Sequence, residues 1–391
     1  MKLVSGSGHN RSTRSSQPAP RAAEIAPQSK RAPAKPPKKK GRGWLIALIV
    51  ILVLAAAAYL YWKIAVKPPE TEAPDLTGEE IPDYEVERYY TLLVVGDDQQ
   101  GGNTDTIMLL RMDTVDMKVN VVSIPRDTLV NSALENKKIN AIYHNLDGID
   151  SLMDEVEDIT GFRPNNYVVV NTDVFVDVVD AMGGVDFYVP FDMNWDDYSD
   201  WDEDGVCEYV FTVHVNEGQQ TLNGYDAMGV FRWRQNNKGS GHVYANPDIE
   251  RIEMQHNLLM AIAQKAMSTR NVVTLTNIAS AVLPKCTTDL TMSNIAWYAQ
   301  EFLSMSMENI EFFTMPTTGT MIKNGSYLTI NVDEWLDMVN ENFNPYDRKA
   351  TREDCGIVYY TQQPSLINGQ YHMDPQYFAV TNGEEMERKW Y

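Results

Sequence analysis

The stretch WLIALIVILVLAAAAYLYW, Trp44 to Trp62, runs for 19 residues without a charge. As a helix it is about 28 Å long, close to the ~30 Å hydrocarbon core of a bilayer. Trp44, Tyr59, Tyr61 and Trp62 sit at its ends, where aromatic rings favour the membrane interface. The basic region before it is too long for a cleaved signal peptide, and no clean A-x-A site follows. Charge divides sharply across this stretch. Residues 1–43 carry eleven Lys/Arg and one acid, Glu24, whereas the rest carries 22 Lys/Arg and 53 acids. Positive charge stays on the cytoplasmic side of a span. A single transmembrane helix with a cytoplasmic N-terminus and an extracytoplasmic remainder is therefore expected.

Residues 1–43, rich in Ser, Ala, Pro, Lys and Arg, lack the apolar surface to fold alone. They read as a disordered basic tail, with an arm for anionic lipid or nucleic acid as the alternative. Residues 63–83 read as an acidic, Pro-containing linker. Cys207, Cys286 and Cys355 are too few and too scattered for a disulfide framework or a zinc site.

From residue 84 the pattern alternates. Apolar runs predict strands at 90–96, 105–113, 118–124, 166–172 and near 309–315, and a further one in GVDFYVP. Helical spacing predicts helices at 150–160, 173–183, 248–267, 272–283, 292–305 and 332–343, and one in NGYDAMGVFRWR that feeds an extended end. Such alternation predicts an α/β fold, an α-β-α sandwich around a central mixed sheet, over 84–345. The extension 346–391 has no assignable role.

Charged residues gather where these elements end. In VVGDDQQGGNTDTI, Asp97 or Asp98 follows the first strand and Asp105 opens the second. Two converging carboxylates plus substrate phosphates suit Mg²⁺, which keeps most of its waters; loop solvation accounts for the acids equally well. VVSIPRDTLV ends a buried strand at Pro125 and presents Arg126 beside Asp127. Arg232 and Arg234 stand two apart, on one face if the segment is extended. Arg251 and Gln255 share a helix face. Guanidinium forks grip phosphate oxygens bidentately. The segment DDYSDWDEDG opens like a calcium loop at Asp200, Asp202, Asp204 and Gly205, but its twelfth position is Phe211 instead of Glu.

The segments DTIMLLRMD, KVNVVSIPRDTLV, KKINAIYH, YVVVNTDVFVDVVDAMGGVDFYVP, LNGYDAMGVFRWR and DIERIEMQ, in this order from Tyr90 to Ala266, resemble the LytR–CpsA–Psr family of cell-wall proteins. A weaker likeness runs to about Pro345. The resemblance implies transfer of an anionic glycopolymer from an undecaprenyl-pyrophosphate carrier to a peptidoglycan hydroxyl. It implies that Asp98 and Asp105 hold Mg²⁺, or Mn²⁺ in its place. It implies that Arg126, Lys138, Arg232, Arg234, Arg251 and Gln255 bind the pyrophosphate, with Asp105, Arg126, Arg232 and Arg234 acting in catalysis.

Two departures stand out. The loop between the two acids holds no basic residue, and Met254 stands where many members carry Arg. Hydrolysis of the lipid pyrophosphate and a non-enzymatic envelope role are the alternatives. An external domain this acidic is a poor partner for nucleic acid, whose phosphates dominate binding.

Overall fold

The computed structural model describes residues 51–54, 65–69, 88–97, 102–196, 200–201, 207–209, 211–237, 241–244, 247–322, 325–360, 366–367, 370–371 and 378–387. The chain divides into two units, Met1–Ala58 and Tyr59–Tyr391. Of the first unit only 51–54 is described, and it is helical. The rest of the expected membrane span, the basic tail and nearly all of the linker lie outside the described residues. Among the described residues no helix is long and apolar enough to cross a membrane.

The second unit is built on a six-stranded mixed sheet. Its members are β1 (Tyr89–Asp97), β2 (Thr104–Asp113), β3 (Lys118–Ser123), β4 (Asn166–Asn171), the short strand Thr287–Thr288 and the strand Ile310–Thr314. β1 lies inside the sheet, antiparallel to β2 and parallel to β4. β2 and β3 form an antiparallel hairpin. Ile310–Thr314 then pairs parallel with β3.

Both faces of the sheet are covered, which is why its strands read as near-continuous apolar runs. On one face Leu93, Val95, Ile107, Leu109 and Val122 pack against α1 (Ile149–Thr160), through Leu152 and Val156, and against the helix Val332–Asn342, through Trp335 and Val339. The Trp335 indole donates to the Ile159 carbonyl at the end of α1. On the other face Tyr90, Met108, Met112 and Val121 pack against Leu259 and Ala263 of the helix Pro247–Ser268 and Trp297 and Phe302 of the helix Met292–Ser304. This is the expected helix–sheet–helix sandwich.

Three parts of the fold differ from the sequence reading. The strand in GVDFYVP, Val185–Val189, lies outside the central sheet and pairs with Gly218–Leu222. It belongs to a second core, in which Val213, Leu222, Met228 and Trp233 pack around α2 (Thr172–Ala181) and α3 (Gly224–Arg232). A hairpin, Thr317–Ile322 with Gly325–Ile330, was not expected. The C-terminal extension, left without a role above, pairs Val358–Tyr360 with Phe378–Val380 and buries Cys355 and Ile357 in the core beneath α1.

One glycine fixes the approach of α2 and α3. A Cβ at Gly224 would stand 2.3 Å from the Val176 carbonyl oxygen, so no larger residue lets α3 begin there without displacing α2.

Candidate active site

The functional residues gather at one end of the sheet, where β1 and β4 finish, β2 starts and the chain leaves β3. In a sheet with helices on both faces, the crevice at the carboxyl ends of parallel strands is the usual ligand site. Gly96 and Asp97 end β1, Asp105 lies at the start of β2 and Asn171 ends β4. Asn171 also caps α2 by accepting from the Val174 amide at 2.9 Å.

The kink at Pro125 is a tight turn. The Thr128 amide donates to the Pro125 carbonyl at 3.0 Å, and the Thr128 hydroxyl donates to the same oxygen at 2.6 Å. This turn carries Arg126 back over the sheet end. Its Nη1 donates to Asp105 Oδ1 at 2.9 Å, and the two side chains keep 27% and 34% of their exposure. Arg126 Nε is buried and has no hydrogen-bond partner among the described residues. A buried, unmatched donor beside a solvent-reached carboxylate is chemistry suited to an incoming oxyanion.

After the turn the chain doubles back. The Val130 amide donates to the Lys137 carbonyl and the Ile139 amide to the Thr128 carbonyl, both at 3.0 Å. Lys138 thus returns beside Asp127, with Nζ 2.8 Å from Asp127 Oδ1 and 5.4 Å from the Tyr327 ring centroid. Asp127 therefore orients the loop through Lys138, while the carboxylate that holds Arg126 is Asp105. The neighbouring Lys137 is fully buried, and its ammonium donates to the Ser132 carbonyl.

Arg232 closes α3, and its guanidinium lies 4.8 Å from the Phe211 ring centroid. The extended segment expected from Arg232 begins one residue later: Arg232 is the last residue of α3, Trp233 is extended and 2% exposed, and Arg234 is exposed. The large apolar side chain at Trp233 anchors the helix end.

Gln255 donates to the Phe231 carbonyl at 3.1 Å, so it ties the helix Pro247–Ser268 to the end of α3 and thereby holds Arg232. Arg251, on the same helix, opposes the rise that burial gives the Tyr244 phenol pKa. Next to Gln255, His256 shares a 2.8 Å hydrogen bond with the Ser123 hydroxyl at the end of β3. Burial lowers the His256 pKa from 6.5 to about 4, so the ring stays neutral.

Asp105 and Arg232 line a common cavity of about 130 Å³ with Asp97. Its remaining wall is largely apolar: Val94, Met108, Val170, Phe175, Met228 and Leu259 contribute. The predicted metal ligand Asp98 lies outside the described residues. Asp105 fits the role, since its bond to Arg126 uses Oδ1 and leaves Oδ2 for a cation. Asp97, weighed beside Asp98 in the sequence, has a partner that sequence reasoning missed: its Oδ1 lies 2.9 Å from His144 Nε2. A lone histidine 47 positions away along the chain gives no spacing signal that could have revealed the pair.

The LytR_cpsA_psr family model matches residues 61–344. The polyisoprenyl-teichoic acid–peptidoglycan teichoic acid transferase TagV of Bacillus subtilis strain 168 is 28% identical over 225 residues, 56% of this chain and 53% of that protein. The chain thus matches about half the length of that relative. A transferase of the same description, TagU of Bacillus cereus, is 25% identical over 303 residues, 74% of this chain and 91% of that protein. The crystal structure of B. subtilis TagV superposes with a TM-score of 0.52 at 22% identity, over 65% of this chain and 97% of that chain, a likeness of fold.

Proposed function

The chain belongs to the LytR–CpsA–Psr family, and from that premise we propose that it is a membrane-anchored, extracytoplasmic phosphotransferase. It moves an anionic glycopolymer from an undecaprenyl-pyrophosphate carrier to a hydroxyl of peptidoglycan. One observation carries the reading: Asp105, which holds Arg126, lines a largely apolar cavity together with Arg232. A prenyl pyrophosphate has that same division into a charged head and an apolar chain.

Arg126 offers a fork whose Nε is buried and unmatched, ready for a phosphate oxygen. Arg232 approaches the same cavity from the end of α3, and Gln255 fixes that helix end. Lys138, paired with Asp127, and Arg234, exposed beyond α3, would meet more distant parts of an anionic substrate. Mg²⁺, held by Asp105 with Asp98, would neutralise charge on the two phosphates as the bridging bond breaks. The arginines stabilise the same charge from fixed positions, and preorganised donors of this kind usually supply the largest catalytic term. In the transfer, the acceptor hydroxyl oxygen forms a bond to the phosphorus that carries the glycopolymer. The bond to the bridging oxygen breaks, prenyl phosphate leaves, and the hydroxyl proton passes to a base.

The test uses the full chain in detergent with Mg²⁺, a lipid-pyrophosphate-linked saccharide and peptidoglycan fragments. Mass spectrometry should find the saccharide joined to the fragments through a phosphodiester. Saccharide phosphate freed into solution would mark a hydrolase instead, and an untouched donor would leave only a non-enzymatic role.

A further inference from the structure

The loop that bears Arg126 and Lys138 does not stand on the family domain alone. The family match ends at residue 344, yet the back of this loop is held by residues beyond it. Leu129, fully buried, sits in a cluster with Tyr327, Val358 and Phe378, against which Met386 packs. The Glu387 amide donates to the side-chain oxygen of Asn131 at 3.0 Å. On its other edge the loop is tied to the unexpected hairpin: the Leu129 amide donates to the Leu328 carbonyl at 2.7 Å, and the Leu328 amide to the Asp127 carbonyl at 2.9 Å.

The C-terminal segment is itself anchored. The Gly356 amide donates to the Asp158 carbonyl on α1 at 2.7 Å, and the Thr381 amide to the Ile357 carbonyl at 3.0 Å. Cys355 and Ile357 are fully buried in the main core. A firmly rooted element therefore presses an apolar surface on the one loop that presents two phosphate-directed cations.

We propose that residues 355–360 and 378–387 form a clamp that positions Arg126 and Lys138 for the pyrophosphate, a role that rests on the functional reading above. Phe378 and Met386 act through Leu129, and the Glu387 backbone acts through Asn131. They are positioning residues and touch no substrate. Without the clamp, Leu129 loses one wall of its pocket and the doubled-back loop 128–139 loosens, although the sheet beneath it is untouched. A grip on two phosphates depends on donors held in place before the ligand arrives.

The full chain carrying Phe378→Ala tests this, with Phe378→Leu as the conservative partner. Amide hydrogen exchange at Val130 and Ile139 should speed up about tenfold in Phe378→Ala, while Val95 in the sheet keeps its rate. Affinity for inorganic pyrophosphate with Mg²⁺ should fall about tenfold, and Phe378→Leu should restore most of both. In a Lys138→Met background, Phe378→Ala should weaken pyrophosphate binding distinctly less, because coupled residues are non-additive. Unchanged exchange at Val130 and Ile139, or an equal rise at Val95, overturns the clamp. So does full additivity with Lys138→Met. A wild-type chain that does not hold pyrophosphate overturns the functional reading instead, and the exchange rates still decide whether 355–360 and 378–387 hold the loop.

Discussion

Under the proposed function, single side chains decide whether this site grips phosphate. Arg126 has one donor on Asp105 and another buried without a partner, a geometry that an ammonium point charge cannot reproduce. Arg126→Lys and Arg232→Lys should each lower kcat/KM about 10²-fold, the loss expected for one preorganised donor, ~3 kcal/mol. Arg352→Lys is the control, because Arg352 and its partner Asp333 are well exposed, and such pairs contribute ~0–1 kcal/mol. Equal, mild effects in all three variants, read from steady-state rates, would remove the pyrophosphate clamp. Asp105, Arg126 and Arg232 were legible in the sequence because each follows or opens an apolar run that ends at the same edge. Asp97 with His144 was not, since a contact between distant positions leaves no local pattern. Nor was the last residue of α3, Arg232, which is set by burial of Trp233 just beyond it.

At the scale of elements, the helix Pro247–Ser268 meets β3 through His256 and Ser123. Burial lowers the His256 pKa from 6.5 to about 4, so the folded chain favours the neutral ring. Its contribution to stability is whole above pH 6.5 and is lost as the pH falls from there through about 4. Thermal unfolding followed from about pH 7.5 to about pH 4.5 should show Tm dropping, and His256→Gln should shallow that drop. Identical slopes in the two chains would show that the ring is as well solvated as in the unfolded state. Most elements were readable from the sequence. Apart from the short strand Thr287–Thr288, the strands of the main sheet and the long helices fall within about two residues of their expected bounds, because burial on both faces gives long apolar runs. The hairpin Thr317–Ile322 with Gly325–Ile330 was not readable. Thr317 to Thr320 are partly or fully exposed, and these threonines and the glycine among them blur the period-two pattern that marks a strand. The extension after 346 hid its role for another reason: Phe378, Met386 and Glu387 matter through contacts with a loop some 250 positions earlier.

For the whole molecule, the decisive quantity is the imbalance of charge about Trp44–Trp62. Eleven Lys/Arg lie before it and 53 acids beyond it, and from this we predict the basic tail inside and residues 84–391 outside. Protease added to intact protoplasts should digest the domain and spare the tail; a protected domain would reverse the topology. On export in that sense, the pairing of Ile310–Thr314 with β3, Val121 beside Phe312, becomes a matter of timing. The hairpin of β2 and β3 reaches the outer face early. The strand that completes its edge comes from the last quarter of the chain. Until then Lys118–Ser123 presents an open row of amides and carbonyls, the kind of edge on which neighbouring chains pair and aggregate. Survival of the newborn enzyme therefore depends on a race between delivery of its final quarter and encounter with another unfinished copy, a race that slow export or crowded export sites would lose.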